Sequence, residues 1–163
     1  MKSVLISIQP KWVEKIASGK KTIEVRKSKP KLEIPFKCYI YETKSKQVEH
    51  CDGCDVTYYG RGKVIGEFVC DKITDISVVV RNCNEDYNQV YHNDECKGSC
   101  LTWKELQEYG NGKPLYGWHI SDLKIYDKSK ELSEFRKYSE WLDIPITIPP
   151  QSWCYVESGV QCE

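Results

Sequence analysis

At 163 residues, 40% apolar and 29% charged, the chain has the size and composition of one globular domain with its own core. Its apolar runs are far short of the roughly 20 residues needed to cross a bilayer, and Met1-Lys2-Ser3 before Val4-Leu5-Ile6 lacks the apolar length of a secretory signal, so a cytoplasmic protein is expected. Basic and acidic residues balance at 24 each, which excludes a global field that would draw in nucleic acid. Cys is present 9 times, an odd number without an export signal, which predicts reduced thiols rather than a disulfide scaffold.

Val4 to Ile8 reads as a mostly buried strand. Pro10 suits a first helical position, Trp12, Val13, Ile16 and Ala17 recur at helical spacing, and Gly19 supplies the stop. Thr22-Ile23-Glu24-Val25-Arg26 alternates as a second strand, with Ile23 and Val25 on one face and Thr22, Glu24 and Arg26 on the other. Phe36 to Thr43 is the third strand, after a loop bracketed by Pro30 and Pro35. Residues 44–62 read as an irregular insertion carrying Cys51-Asp52-Gly53-Cys54 and Gly60-Arg61-Gly62. Lys63 to Cys70 and Ile73 to Val80 are two further strands, and Asn82 to Ser99 is polar and turn-rich. Thr102-Trp103-Lys104-Glu105 fits a capping box for a helix that ends at Gly110. Leu115 to Tyr126 is expected as one core strand, Ser133 to Arg136 as a turn or short helix, and Trp153 to Glu157 as the last strand. Many short strands with two or three short helices predict an α+β, mainly antiparallel β-barrel, without a linker or a second domain.

Charge is uneven along the chain. Between positions 20 and 37, Lys20, Lys21, Arg26, Lys27, Lys29, Lys31 and Lys37 face only Glu24 and Glu33. Side chains two apart on a strand face lie roughly 7 Å from each other at the Cα, close enough to share a ligand. An arginine fork grips a phosphate or a base edge, a carboxylate accepts from an amino group, and Lys20 or Lys21 adds a point charge. The alternative is a solvated strand face with an ion pair worth little.

Gly19-Lys20-Lys21-Thr22-Ile23-Glu24-Val25-Arg26 matches the G-x-K-x-x-E-x-R signature of ASCH domains. Ser7-Ile8-Gln9-Pro10 with its short helix, Gly62 to Phe68, and Gly117-Trp118-His119-Ile120 resemble the same family, in particular its small bacterial and prophage-encoded members. The resemblance spans nearly all of residues 1–163 and implies a single PUA-like barrel with a cleft between the helix at 10–18 and the strand at 22–26. It further implies binding of RNA or a modified nucleotide there, with Gln9, Lys20, Lys21, Glu24 and Arg26 as ligand-binding residues. One branch of the family is an amidohydrolase of N4-acylated cytidine that uses a lysine, a threonine nucleophile and a glutamate. Lys21 matches the lysine, but Glu24 stands where the threonine belongs, and a carboxylate cannot copy a hydroxyl nucleophile without a different intermediate. Other members are described as ribonucleases relying on lysine and tyrosine, for which Lys21, Tyr41 and Lys44 are available. In either enzyme Lys21 and Glu24 would be the catalytic pair. A phage protein-interaction module is the alternative outside these classes.

Two further sets complete the expectations. Cys51 and Cys54, beside His50, have metal-ligand spacing, and Cys96 and Cys100 with His92 would complete a tetrahedral zinc site. The competing reading is reduced cysteines in a loop. Trp153 and Tyr155 are the aromatic candidates for stacking a base in the cleft, whereas Trp118 is expected in the core and His119 in a structural role.

Overall fold

The structure, a computed structural model, describes residues 1–76 and 97–158. Its centre is β1 (Lys2–Ile8), which pairs in parallel with β3 (Phe36–Glu42) on one side and antiparallel with β10 (Trp153–Glu157) on the other. The full sheet runs β10-β1-β3-β6-β9, with β6 at Lys63–Cys70 and β9 at Ser121–Lys130. Both faces of this sheet are covered, which is why β1 shows a continuous apolar run instead of alternation. Val4, Ile6 and Ile8 enter one core with Phe36, Cys38, Ile40, Phe68 and Trp118. Leu5 points the other way, into a second core with Tyr39, Tyr41, Phe135 and Val156. Each large aliphatic side chain buried in this way contributes about 1.5–3 kcal/mol.

A parallel β1–β3 pair needs a crossover, and here it carries the signature segment. The crossover consists of α1 (Pro10–Ala17), then β2 (Ile23–Arg26). β2 belongs to a three-stranded sheet with β8 (Tyr116–His119) and β7 (Ile73–Asp75). Ile23 and Val25 pack with Leu106 and Leu115 in a third core, beneath α2 (Trp103–Gly110). The capping box of α2 forms as its sequence predicts: Glu105 N donates to Thr102 Oγ1 (3.2 Å) and Thr102 N to Glu105 Oε2 (2.7 Å). Asn111, left-handed at φ 45°, ends the helix.

Three expectations change and one is met with a small shift. Residues 44–62 are not irregular, because β4 (Lys46–Cys51) and β5 (Cys54–Tyr59) make a hairpin closed at Cys51–Cys54. Its turn is Asp52-Gly53, with Gly53 at φ +97°, a pair that favours two-residue hairpins. The stretch 115–126 is two strands, since β8 ends at His119 and β9 starts at Ser121, with Asp122 at φ 46° beside the break. The turn or short helix expected at 133–136 forms as a 3-10 helix at Leu132–Glu134. Finally, the α+β composition holds, but the described strands form separate five-, three- and two-stranded sheets rather than a closed barrel. Strand length and alternation alone do not say whether a ladder closes; that depends on shear and tilt. Most of the polar stretch at 82–99, and the strand expected at 73–80 beyond Ile76, lie outside the described residues. Among the described residues no helix is long and apolar enough to cross a membrane.

Candidate functional site: a cleft over a buried ion triad

The signature segment is positioned by backbone hydrogen bonds at both of its ends. Gly19, at φ +75°, lets the chain reverse at the end of α1, so that Lys21 N donates to Lys15 O (2.9 Å). Thr22 N and Ile23 N both donate to Gly98 O (2.8 and 3.0 Å). A Cβ on Gly98 would come within 2.5 Å of Thr22 Oγ1, so the two chains meet closely because position 98 is bare. This contact carries Ser99 O to Lys21 Nζ, which donates to it at 2.6 Å.

The strand's polar side chains are not solvated. Lys21, Glu24 and Arg26 are 2%, 6% and 8% exposed, and they form one ionic cluster. Glu24 Oε1 accepts from Arg26 Nη2 at 2.8 Å, and Glu24 Oε2 lies 3.4 Å from Lys21 Nζ. Arg26 Nη2 also donates to Ser7 O (2.6 Å), whereas Nη1 reaches Ser152 Oγ and O only at 3.3 and 3.5 Å. Arg26 Nε is buried without a hydrogen-bond partner, an orphan of the kind that costs about 1–3 kcal/mol. Burial pulls the Lys21 ammonium below its usual pKa, and the Glu24 carboxylate opposes that shift. The cluster is therefore two cations and one anion held in a low dielectric, where ion pairs are expensive to break.

Above the triad opens a cleft of ≈ 780 Å³, lined among others by Trp12, Thr43, Leu101, Tyr109 and Gln151. Ser7, Gln9, Lys21, Glu24, Arg26, Lys27, Ser28 and Ser152 contribute its polar surface. Trp12 comes from α1 and Tyr109 from α2, so two helices bring aromatic side chains to the lining. Lys21 Nζ sits 5.2 Å from the centroid of the Trp12 ring, and Lys27 Nζ sits 4.8 Å from that of Tyr109.

The β4–β5 hairpin fixes the outer edge. Glu49 lies 3.0 Å from the ammonium groups of both Lys11 and Lys15 on α1 and accepts from Tyr58 OH (3.0 Å). These contacts hold its carboxyl down at about 2, chiefly through the hydrogen bonds from Lys11 and Lys15. Gln47 Nε2 donates to Gln9 Oε1 (2.7 Å) while Gln47 Oε1 accepts from Lys11 N (3.0 Å).

Of the residues expected in the site, Gln9, Lys21, Glu24 and Arg26 come together in this lining. Lys20 is exposed and does not line the cleft; its carbonyl accepts from Cys100 Sγ (3.3 Å). Trp153 and Tyr155 do not line it either, and instead pack against the main core. Their strand, β10, borders β1 at the sheet edge, while the cleft's rings come from the helices. Trp118 is fully buried, as expected. Thr22, Tyr41 and Lys44 are absent from the lining, and Tyr41 is buried in the second core.

The zinc expectation falls partly outside the described residues. Cys51 and Cys54 sit exposed at the hairpin tip, and Cys100 stands beside the signature segment. His50 Nδ1 is 2.9 Å from Asp55 Oδ1, while His92 and Cys96 lie outside the described residues. Among the described residues no three His, Cys, Asp or Glu side chains are grouped to hold a metal ion.

Sequence reasoning missed Trp12, Tyr109, Ser152 and Lys27 as part of the lining. Trp12 was legible only as an apolar helix position, and Tyr109 is brought in by α2, some 85 residues along the chain from Glu24. Nothing local marks either one.

Against known proteins, the family model described as ASCH domain matches residues 6–148. Solved structures with the same fold include the crystal structure of ASCH from Zymomonas mobilis, at TM-score 0.57 and 18% identity over 95% of this chain and 87% of that one. A mutant of that protein aligns at TM-score 0.60 and 18% identity, covering 96% of this chain and 91% of the other. No curated protein matches the chain.

Proposed function

The chain belongs to the ASCH family, and from that membership and the cleft together we propose that it binds RNA or a modified nucleotide over the Lys21–Glu24–Arg26 triad. The observation that carries the reading is a buried guanidinium at the cleft with donor capacity to spare. Arg26 Nε has no partner and Nη1 is held only loosely, so an incoming phosphate or base edge would supply an acceptor that the protein does not. Lys21, Arg26 and Lys27 outnumber Glu24 in the lining, which suits an anionic ligand without any net charge on the chain. Each Glu24 oxygen keeps a second lone pair for a base amino group. Trp12 and Tyr109 offer ring surface for a base.

The amidohydrolase and ribonuclease readings lack comparable support. Tyr41 and Lys44, which a ribonuclease would add to Lys21, stand outside the lining; Glu24 stands where the amidohydrolase threonine belongs, and both of its oxygens are engaged by cations.

The test is a titration of short RNAs and free modified nucleosides against the wild type, Arg26→Ala and Arg26→Lys. Arg26→Ala is expected to weaken binding by roughly 1–3 kcal/mol. Arg26→Lys, which keeps the charge but not the fork, is expected to recover only part of that loss. Unchanged affinity in a folded Arg26→Ala protein refutes the assignment.

A further inference from the structure

Beside the cleft, the chain leaves β2 as Lys27-Ser28-Lys29-Pro30-Lys31, three lysines at every second position with no acid between them. Lys27 and Ser28 line the cleft; Lys29 and Lys31 continue away from it, and all three lysines are exposed. This segment is laid against aromatic side chains of two strands. Ser28 Oγ accepts from Trp153 Nε1 (3.0 Å), and Lys31 N donates to Tyr155 OH (2.8 Å). Lys29 Nζ stands 5.3 Å from the Tyr116 ring centroid. The Trp153 and Tyr155 rings meet edge to face, with centroids 5.3 Å apart. Tyr116, Trp153 and Tyr155 are all only partly buried and share the same underlying core. Lys2 Nζ, 3.8 Å from the Tyr155 ring centroid, adds one more cation at the far end.

We propose that this strip of lysines and rings (Lys27, Lys29, Lys31, Tyr116, Trp153, Tyr155) is a track for single-stranded RNA, continuous with the cleft. The inference rests on the nucleotide-binding reading of the cleft and specifies its ligand as a nucleotide within a strand rather than a free nucleoside. A backbone that tracks lysines while its bases lie on aromatic side chains is the general chemistry of single-strand binding. Exposed cation–ring contacts of this kind are weak. Phosphates can therefore draw the ammonium groups away and open the ring faces at little cost. Anchoring from beneath matters as well. Trp153 Nε1 and Tyr155 OH are both hydrogen-bonded to the 27–31 segment, so the rings and the backbone that carries the lysines are held in fixed relation, and only the lysine side chains remain for binding to order. Of the acids about the strip, Glu24 is held in the triad, Glu33 lies beyond the lysine run, Asp75 pairs with Tyr116 across the ladder and Glu157 with Lys2. None interrupts the run.

The test compares a uridine mononucleotide with an oligouridylate of about 9 nucleotides, within the range of single-strand sites. Each is titrated at several salt concentrations against the wild type and the double variant Lys29→Ala/Lys31→Ala. Both lysines are exposed and remote from the triad, so the variant is expected to fold and to bind the mononucleotide as the wild type does. The oligomer is expected to bind the wild type at least tenfold more tightly than the mononucleotide. In the double variant its log K against log salt slope should fall by about 1.4, at roughly 0.7 for each phosphate contact on a single strand. An oligomer that binds no tighter than the mononucleotide, or a double variant with unchanged affinity and slope, overturns the track whatever the cleft does. Failure of the cleft reading has a different signature, in which binding loses its dependence on Arg26 while the dependence on length and on Lys29 and Lys31 persists.

Discussion

Replacing Glu24 by Gln tests the triad itself. Among the described residues the carboxylate is the one anion paired with Lys21 and Arg26, at 3.4 and 2.8 Å, and all three side chains are at least nine-tenths buried. Glu24→Gln keeps the volume and one acceptor oxygen but leaves two like charges facing each other out of water. Removing one partner of a buried ion pair costs about 3–5 kcal/mol. In a domain of this size each kcal/mol lowers Tm by roughly 2–4 °C, so a fall of roughly 6–20 °C is expected. The loss should depend on pH in a defined direction. Burial already lowers the Lys21 pKa from 10.5, and Glu24 opposes that, so the variant's Lys21 titrates lower still. Between the variant's value and the wild type's own lowered one, the folded wild type keeps the Lys21 proton that the folded variant has lost, so the variant regains stability relative to wild type as pH rises through that window. Urea denaturation at several pH values measures both effects. A loss below about 1 kcal/mol with no pH dependence would put these side chains in the class of exposed pairs and refute the buried triad.

Two further outcomes probe the frame that holds the cleft. Thr102→Ala removes the Oγ1 that accepts from Glu105 N at 3.2 Å; a loss of about 1 kcal/mol, read as a lower denaturation midpoint at unchanged m, is expected. Glu49, held at about 2 by hydrogen bonds from Lys11 and Lys15, contributes stability that is fully present above its ordinary value of 4.5 and is lost as pH falls through about 2. Wild type and Glu49→Gln should therefore converge in stability across that acid window, and a gap that stays constant refutes the tether between hairpin and helix.

How much was legible in the sequence depended on whether the signal was local. The α1 stop at Gly19, the Thr102–Glu105 capping box and the buried run of β1 were each readable, because a few consecutive residues decide them. The Asp52-Gly53 turn was equally local, but the polar, cysteine-bearing strands around it masked the hairpin. Alternation placed Glu24 and Arg26 on a face opposite Ile23 and Val25, and the structure keeps that separation. What alternation cannot say is whether a polar face is wet. Here Ser7 O from β1, Ser99 O from the chain before α2 and Ser152 at the start of β10 all converge on it, and none of these partners is near in sequence. Trp153 and Tyr155 failed as cleft residues for the same reason, since their place depends on β10 pairing with β1.

That distant supply of carbonyls also supports the proposal that the cluster is a ligand site rather than a stabilising core. A buried ion cluster is often no more stable than apolar side chains of the same volume. The fold nonetheless spends backbone acceptors from three separate segments on Lys21 and Arg26 and still leaves Arg26 Nε without a partner. If structure were the cluster's only role, an apolar trio of the same volume would avoid the cost of burying three charges. The arrangement makes physical sense where a ligand's acceptors complete it. An apolar replacement of all three side chains should accordingly yield a protein at least as stable as wild type that has lost its ligand.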